Sequence, residues 1–108
     1  MKRGEVWWVE FDPAIGSEIT KRRPAIIVSN DSANRNLSRV VVIPVTSSTA
    51  RVFPGEALVN VGSQTSKAMA DQIMAVDKSR LKKQIGTLTK ADLALVEDAV
   101  RVHLGLAI

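Results

Sequence analysis

The sequence has no cysteine among its 108 residues. That excludes a disulfide framework and any thiolate metal site. It has one histidine, His103, which excludes a multi-histidine metal centre and leaves little room for two-histidine acid–base catalysis. No apolar run approaches the ~20 residues of a membrane span, and no secretory signal pattern opens the chain. The expected setting is therefore cytoplasmic, without membrane contact. Glycine-rich phosphate loops are missing, so nucleotide hydrolysis has no support. The carboxylates Asp12, Glu18, Asp31 and Asp71 show no metal-ligand spacing, and neither metal nor cofactor is expected. There is no internal repeat, low-complexity tract or linker. Residues 1–108 are expected to form one domain.

What is present is ordinary in bulk and basic in balance. Hydrophobic residues make up 45% and charged residues 24%, enough apolar material for a real core. The net charge of +4 favours a polyanionic partner, either nucleic acid or an acidic protein segment. Many small domains are mildly basic without such a partner, so charge does not decide the matter.

Arg3-Gly4-Glu5-Val6-Trp7-Trp8-Val9-Glu10-Phe11 reads as a first strand, rich in aromatic and β-branched residues. Trp7 and Trp8 must point to opposite faces of it. One is expected in the core, the other at an interface or as a platform for stacking a base. Further strands are expected at 24–29, 39–45, 56–61, 67–76 and 84–88, with short helical turns at 32–36 and 77–81 and a loop at 62–66. Pro44 argues for an edge or a bulge near the end of the third strand. Thr89 and Asp92 form a near capping box for a final helix, and Leu93, Val96, Val100 and Leu104 give it one apolar face. The expected fold is mainly β (α+β): a small, strongly bent antiparallel barrel of five to six strands with a C-terminal helix.

The organising stretch is 16–31. A polar, basic loop carrying Glu18, Lys21, Arg22 and Arg23 runs into the apolar strand that begins at Pro24. A charged loop anchored on a rigid strand is a common way to build a binding or catalytic site. Arg23 at the hinge offers a planar fork of donors suited to phosphate. Thr46, where the third strand runs out, offers a hydroxyl. These two are the candidate catalytic residues; Glu18, Lys21, Arg22, Ser47 and Gln72 are the candidate substrate-binding residues around them. Such a set can cleave RNA, because the substrate supplies its own nucleophile, the 2′-OH. The plainer alternatives are a surface salt bridge for Arg23 and a turn-forming role for Thr46.

Several stretches resemble the MazF/PemK-like toxins: Arg3-Gly4-Glu5-Val6-Trp7, Gly16-Ser17-Glu18, Arg23-Pro24-Ala25-Ile26-Ile27-Val28-Ser29-Asn30-Asp31 and Pro44-Val45-Thr46-Ser47. Asp71-Gln72-Ile73, Val76-Asp77-Lys78-Ser79-Arg80-Leu81 and Ile85-Gly86 continue the match in order. The resemblance implies an SH3-like barrel that forms a homodimer. It implies the toxin of a toxin–antitoxin pair, a sequence-specific endoribonuclease acting on single-stranded RNA, with messenger RNA the expected class. Cleavage would need no metal and would leave 2′,3′-cyclic phosphate and 5′-hydroxyl ends. Arg23 would stabilise the phosphate and donate a proton, with Thr46 as its hydrogen-bonding partner. Glu18 would lie in a loop that closes over RNA. The implied partner is a cognate antitoxin with an acidic, disordered tail, through which operator DNA would be bound indirectly.

One position departs from the family pattern. Many members carry arginine after Asp-Gln-Ile, where this chain has Met74; Lys67 or Arg51 are the cations that could compensate. Two other readings stand beside the ribonuclease. A non-catalytic toxin of the same fold, as in the CcdB-like gyrase poisons, would resemble a C-terminal signature of tryptophan, glycine and isoleucine. This chain ends Leu106-Ala107-Ile108 instead. The third reading is an inactive homologue that binds RNA or regulates its own operon.

Overall fold

The computed structural model describes residues 1–11 and 21–107. Its seven strands are β1 (Glu5–Glu10), β2 (Arg22–Ile27), β3 (Arg39–Thr46), β4 (Glu56–Val61), β5 (Gln64–Met69), β6 (Met74–Asp77) and β7 (Leu81–Thr87). Helix α1 (Asp31–Asn36) links β2 to β3, and α2 (Lys90–Leu104) follows β7. The strands form one curled antiparallel sheet in the order β4-β5-β3-β2-β1-β7, with β6 paired to β3 beside that path. This is the mainly β, half-barrel architecture with a C-terminal helix that the sequence predicts.

The strand count exceeds the expected five to six because the run 67–76 does not stay extended. Ala70–Gln72 turn into a 3-10 helix, closed by Ile73 N–H donating to the Ala70 carbonyl at 3.2 Å. The segment 62–66, expected as a loop, is largely strand. Val61 pairs with Gln64, so only Gly62 and Ser63 make the turn, with Gly62 at φ +63°. A two-residue hairpin demands such a conformation, and glycine adopts it without strain.

Pro44 sits inside the sheet rather than at an edge. It lies opposite Ala25 of β2, at the point where the neighbour on the other side changes. β6 accompanies β3 only as far as Val42, and β5 joins it from Val45. The missing N–H of proline thus falls in a gap between two partners.

Both faces of the sheet are apolar. Ile26 and Ile43 join Val6, Val45, Val59 and Val96 of α2 in one buried cluster. Ala25, Ile27, Val40 and Val42 face the other way and pack with Val9, Phe11, Val76 and Leu81. A continuous apolar run in β2 is what a strand covered on both faces requires. α2 lies against β4 and the 3-10 turn, burying Val96 and Ala99. Thr89 Oγ1 accepts from the Asp92 N–H at 3.1 Å, and Gly105 at φ +67° closes the other end. Leu104, expected on the apolar face, is half exposed, so the last turn lies clear of the core. No helix among the described residues is long and apolar enough to cross a membrane.

Candidate active site

β2 and the end of β3 bring the hinge arginine and the strand-end threonine to one place. The strand expected to begin at Pro24 begins two residues earlier, at Arg22: Arg22 pairs with Glu10, Arg23 with Val9 and Pro24 with Trp8 of β1, and because β3 joins β2 only from Ala25, the proline lies where the strand has a single neighbour. Phe11 N–H donates to the Lys21 carbonyl at 2.8 Å, tying together the two ends of the segment 12–20. Lys21 sits at φ +63°, a left-handed conformation that costs a non-glycine residue roughly 1–2 kcal/mol. The strained residue stands at the rim of a cavity of about 440 Å³.

Five of the seven residues singled out from the sequence line that cavity: Lys21, Arg22, Arg23, Thr46 and Ser47. Gln72 does not. It belongs to the 3-10 turn between β5 and β6, which packs against α2, so the break in the run 67–76 carries it away from the cavity. Glu18 lies outside the described residues.

Arg23 is the electrostatic centre. Its Nε is buried and has no hydrogen-bond partner among the described residues. Leaving a buried donor unpaired costs about 1–3 kcal/mol, more when the group is charged. An anionic acceptor in the cavity would relieve that penalty. A salt-bridge role is thereby excluded for Nε among the described residues; Arg22, its neighbour, takes the exposed pairing instead, with Glu10 at 3.4 Å. Thr46 is half-buried, and its Oγ1 accepts from the Ser48 N–H at 3.2 Å. That bond uses one acceptor site of the hydroxyl and leaves its proton available to donate. Thr46 therefore forms the turn and can still face a ligand.

Seven of the wall residues were not singled out as site residues, Ser66, Gln64, Ile85 and Trp8 among them. Ser66 is one of two buried polar residues among those described, and it lines the cavity opposite Val59. A serine on the inward side of a hairpin, in phase with Ala68, was the sequence signal for it. Gln64 and Ile85 carried no such signal. Trp8 also lines the cavity, whereas Trp7 packs on the buried cluster of the opposite face and donates its indole N–H to Glu5 Oε1 at 3.0 Å. The alternation thus sends one tryptophan to the core and the other to the site.

Of the two cations proposed to replace the arginine absent at Met74, Lys67 is engaged elsewhere. Lys67 Nζ contacts Glu56 Oε2 at 3.4 Å and donates to the Arg51 carbonyl at 3.0 Å. Met74 itself is partly exposed on β6. His103 is exposed on α2 beside Gly55 and does not line the cavity. Among the described residues no three His, Asp or Glu side chains come together as a ligand set.

A curled β half-barrel whose mouth presents an arginine Nε, buried and without a partner among the described residues, offers a donor suited to an anion. Residues 2–104 match the family described as PemK-like, MazF-like toxin of type II toxin–antitoxin system. The chain is 43% identical over 115 residues to "Endoribonuclease MazF9" of Mycobacterium tuberculosis, with 98% of each covered. It is 28% identical to "Endoribonuclease toxin MazF" of Escherichia coli, covering 94% of this chain and 92% of that one. Among solved structures, MazF from Deinococcus radiodurans superposes with a TM-score of 0.85 at 28% identity, covering 98% and 97% of the two chains. A mycobacterial endoribonuclease in complex with its cognate antitoxin gives 0.84 at 27% identity, covering 100% and 98%. The chain belongs to the PemK-like, MazF-like toxin family.

Proposed function

We propose that this chain is the toxin of a toxin–antitoxin pair and an endoribonuclease that cuts single-stranded RNA, messenger RNA above all, at specific sequences. Family membership and relatives named as endoribonucleases support the activity. The observation that carries the choice of site is the buried Arg23 Nε, without a partner among the described residues, in the wall of the cavity that Thr46 also lines.

In this reading the scissile phosphate enters the cavity as the acceptor that Arg23 lacks. The 2′-oxygen of the substrate attacks phosphorus, and the bond to the 5′-oxygen breaks. Water takes the proton from the 2′-OH, Arg23 gives one to the leaving 5′-oxygen, and the guanidinium recovers its proton from solvent, so the step is balanced. The guanidinium stabilises charge that grows on the phosphorane oxygens, where preorganised donors act most strongly. The Thr46 hydroxyl donates to the same phosphate, and Lys21, Arg22 and Ser47 hold the flanking strand. No metal is needed, because the nucleophile is already in place. The products are a 2′,3′-cyclic phosphate and a 5′-hydroxyl.

The chain acts inside the cell as one domain and as a homodimer. It is held in check by an antitoxin whose acidic tail suits the +4 charge and which connects it to operator DNA. The test is incubation of the purified protein with long single-stranded RNA in excess EDTA, followed by end-group analysis. Discrete fragments with cyclic phosphate ends are expected, slowed roughly 10²–10³-fold in Arg23→Ala. Intact RNA, or a folded Arg23→Ala that cuts at the normal rate, would overturn the reading.

A further inference from the structure

Beside the Arg23 cavity lies a second, shallower one of about 440 Å³, lined by Trp8, Arg22 and Lys83. Trp8 and Arg22 belong to both cavities, so the two are continuous. Trp8 stands between Pro24 of β2 and Lys83 of β7 in the ladder. Its indole is partly exposed and, unlike that of Trp7, makes no hydrogen bond among the described residues. On one side of it, Arg22 is anchored by Glu10, two residues along the same strand. On the other, Lys83 is exposed and has no ion pair among the described residues. A large aromatic face left open at the surface, with a cation on each side, is the arrangement that takes a nucleobase and its two phosphates.

We infer that Trp8, Arg22 and Lys83 form a nucleotide subsite next to the cleavage cavity, in which one unpaired base stacks on the Trp8 indole while the adjoining phosphates meet the two cations. The inference rests on the RNA-cutting reading of the neighbouring cavity. Stacking tolerates any base, because every base offers a π-face. The subsite therefore supplies affinity and direction to the strand, leaving sequence choice to other contacts. β7 is the last strand of the sheet order, which leaves a path for the chain of phosphates to continue past Lys83.

The test measures anisotropy of a short, fluorescein-labelled 2′-O-methyl RNA of mixed sequence, which lacks the nucleophile and cannot be cut. Trp8→Ala is expected to raise the Kd about 5- to 150-fold, and Trp8→Phe to retain most of the affinity. Lys83→Gln is expected to weaken binding and to reduce the dependence of affinity on salt by about one phosphate contact. A folded Trp8→Ala that binds normally would overturn the subsite. So would Trp8→Phe as weak as alanine, or an unchanged salt dependence in Lys83→Gln. If Trp8→Ala fails to fold, the phenylalanine and Lys83 variants decide. A wild type that binds the probe in this manner but leaves natural RNA intact would remove the cleavage reading and keep the subsite. A wild type that cuts RNA while all three variants bind normally would do the reverse.

Discussion

If Arg23 acts as proposed, stability and activity pull in opposite directions there. A buried guanidinium nitrogen without a partner among the described residues is a burden on the empty protein and would become an asset once phosphate fills the cavity. Arg23→Ala should therefore melt at or slightly above the wild-type temperature while its cleavage rate collapses. Calorimetry alongside single-turnover cleavage checks both halves, and a clear loss of stability would return Arg23 to a structural role. Asn34 is the contrasting case. It is almost fully buried in α1; Ser29 Oγ donates to its Oδ1, and its own Nδ2 donates to the Ser29 carbonyl at 2.9 Å. Ser29 Oγ also accepts from the Val41 N–H at 3.0 Å, so the network joins the link after β2 to α1 and β3. Asn34→Ala strands these partners and should destabilise the fold by roughly 1–3 kcal/mol in urea titration, with cleavage per folded molecule unchanged. That Arg23 and Thr46 stand at strand ends was legible in the sequence, because a charged loop before proline and the end of an apolar run are local features. Asn34 was not, since a polar one-turn helix gives no sign that one of its amides points inward. The exposure of Trp8 depends on which strands lie beside it, and the phase of Ser66 with Ala68 shows only once 64–66 is strand rather than the expected loop.

Among the elements, α2 is the one whose ends are fully specified locally. Thr89 accepts the Asp92 N–H, and Asp92 in turn accepts the Asn60 N–H of β4 at 2.8 Å. The helix start is thus bolted to a strand as well as capped. Thr89→Ala should lower stability by about 1 kcal/mol, read as a shift in the urea midpoint, whereas Thr89→Ser should not. Equal loss in both variants would assign the effect to the lost methyl group. The capping residues, the 3.6-residue spacing and the apolar strand runs carried most of the fold in the sequence, since each is short-range. The run 67–76 misled because Met69, Ile73 and Ala75 fall on one side of an unbroken strand. What bends it is the demand of β3, which takes β5 at Val45 and β6 up to Val42 and so needs the chain to turn between them. Pro44 marks the same junction from the other side.

For the molecule as a whole, acid is the condition that undoes several of these contacts together. Asp31 accepts the Arg3 N–H at 2.8 Å across 28 residues of chain, and this bond is the main reason its carboxyl stays below the ordinary value of 3.8. Hydrogen bonds from Ser79, at the 3-10 turn before β7, lower Asp77 in the same way. At Glu5, burial pulls upward, but the Lys2 N–H, the Trp7 indole and nearby positive charge outweigh it and leave the carboxyl below 4.5. In each case the unfolded chain takes up its proton first as pH falls, so protonation favours unfolding. The stability these groups contribute is complete above the ordinary carboxylate range and is lost as pH falls through their lower, folded values. Charge adds to the effect, because protonating the 11 acidic residues leaves 15 lysines and arginines unopposed. The urea midpoint should therefore hold steady from about pH 7 down to about pH 5 and then fall steeply. Asp31→Asn should be less stable at neutral pH and show a shallower fall, because the asparagine side chain can keep a hydrogen bond to Arg3 but has no proton to gain. A midpoint that stays level to about pH 2 would mean that these carboxylates are equally well held in the unfolded chain. The tie between the first residues and α1 would then be no part of what holds β1, with Trp8 on it, against the site.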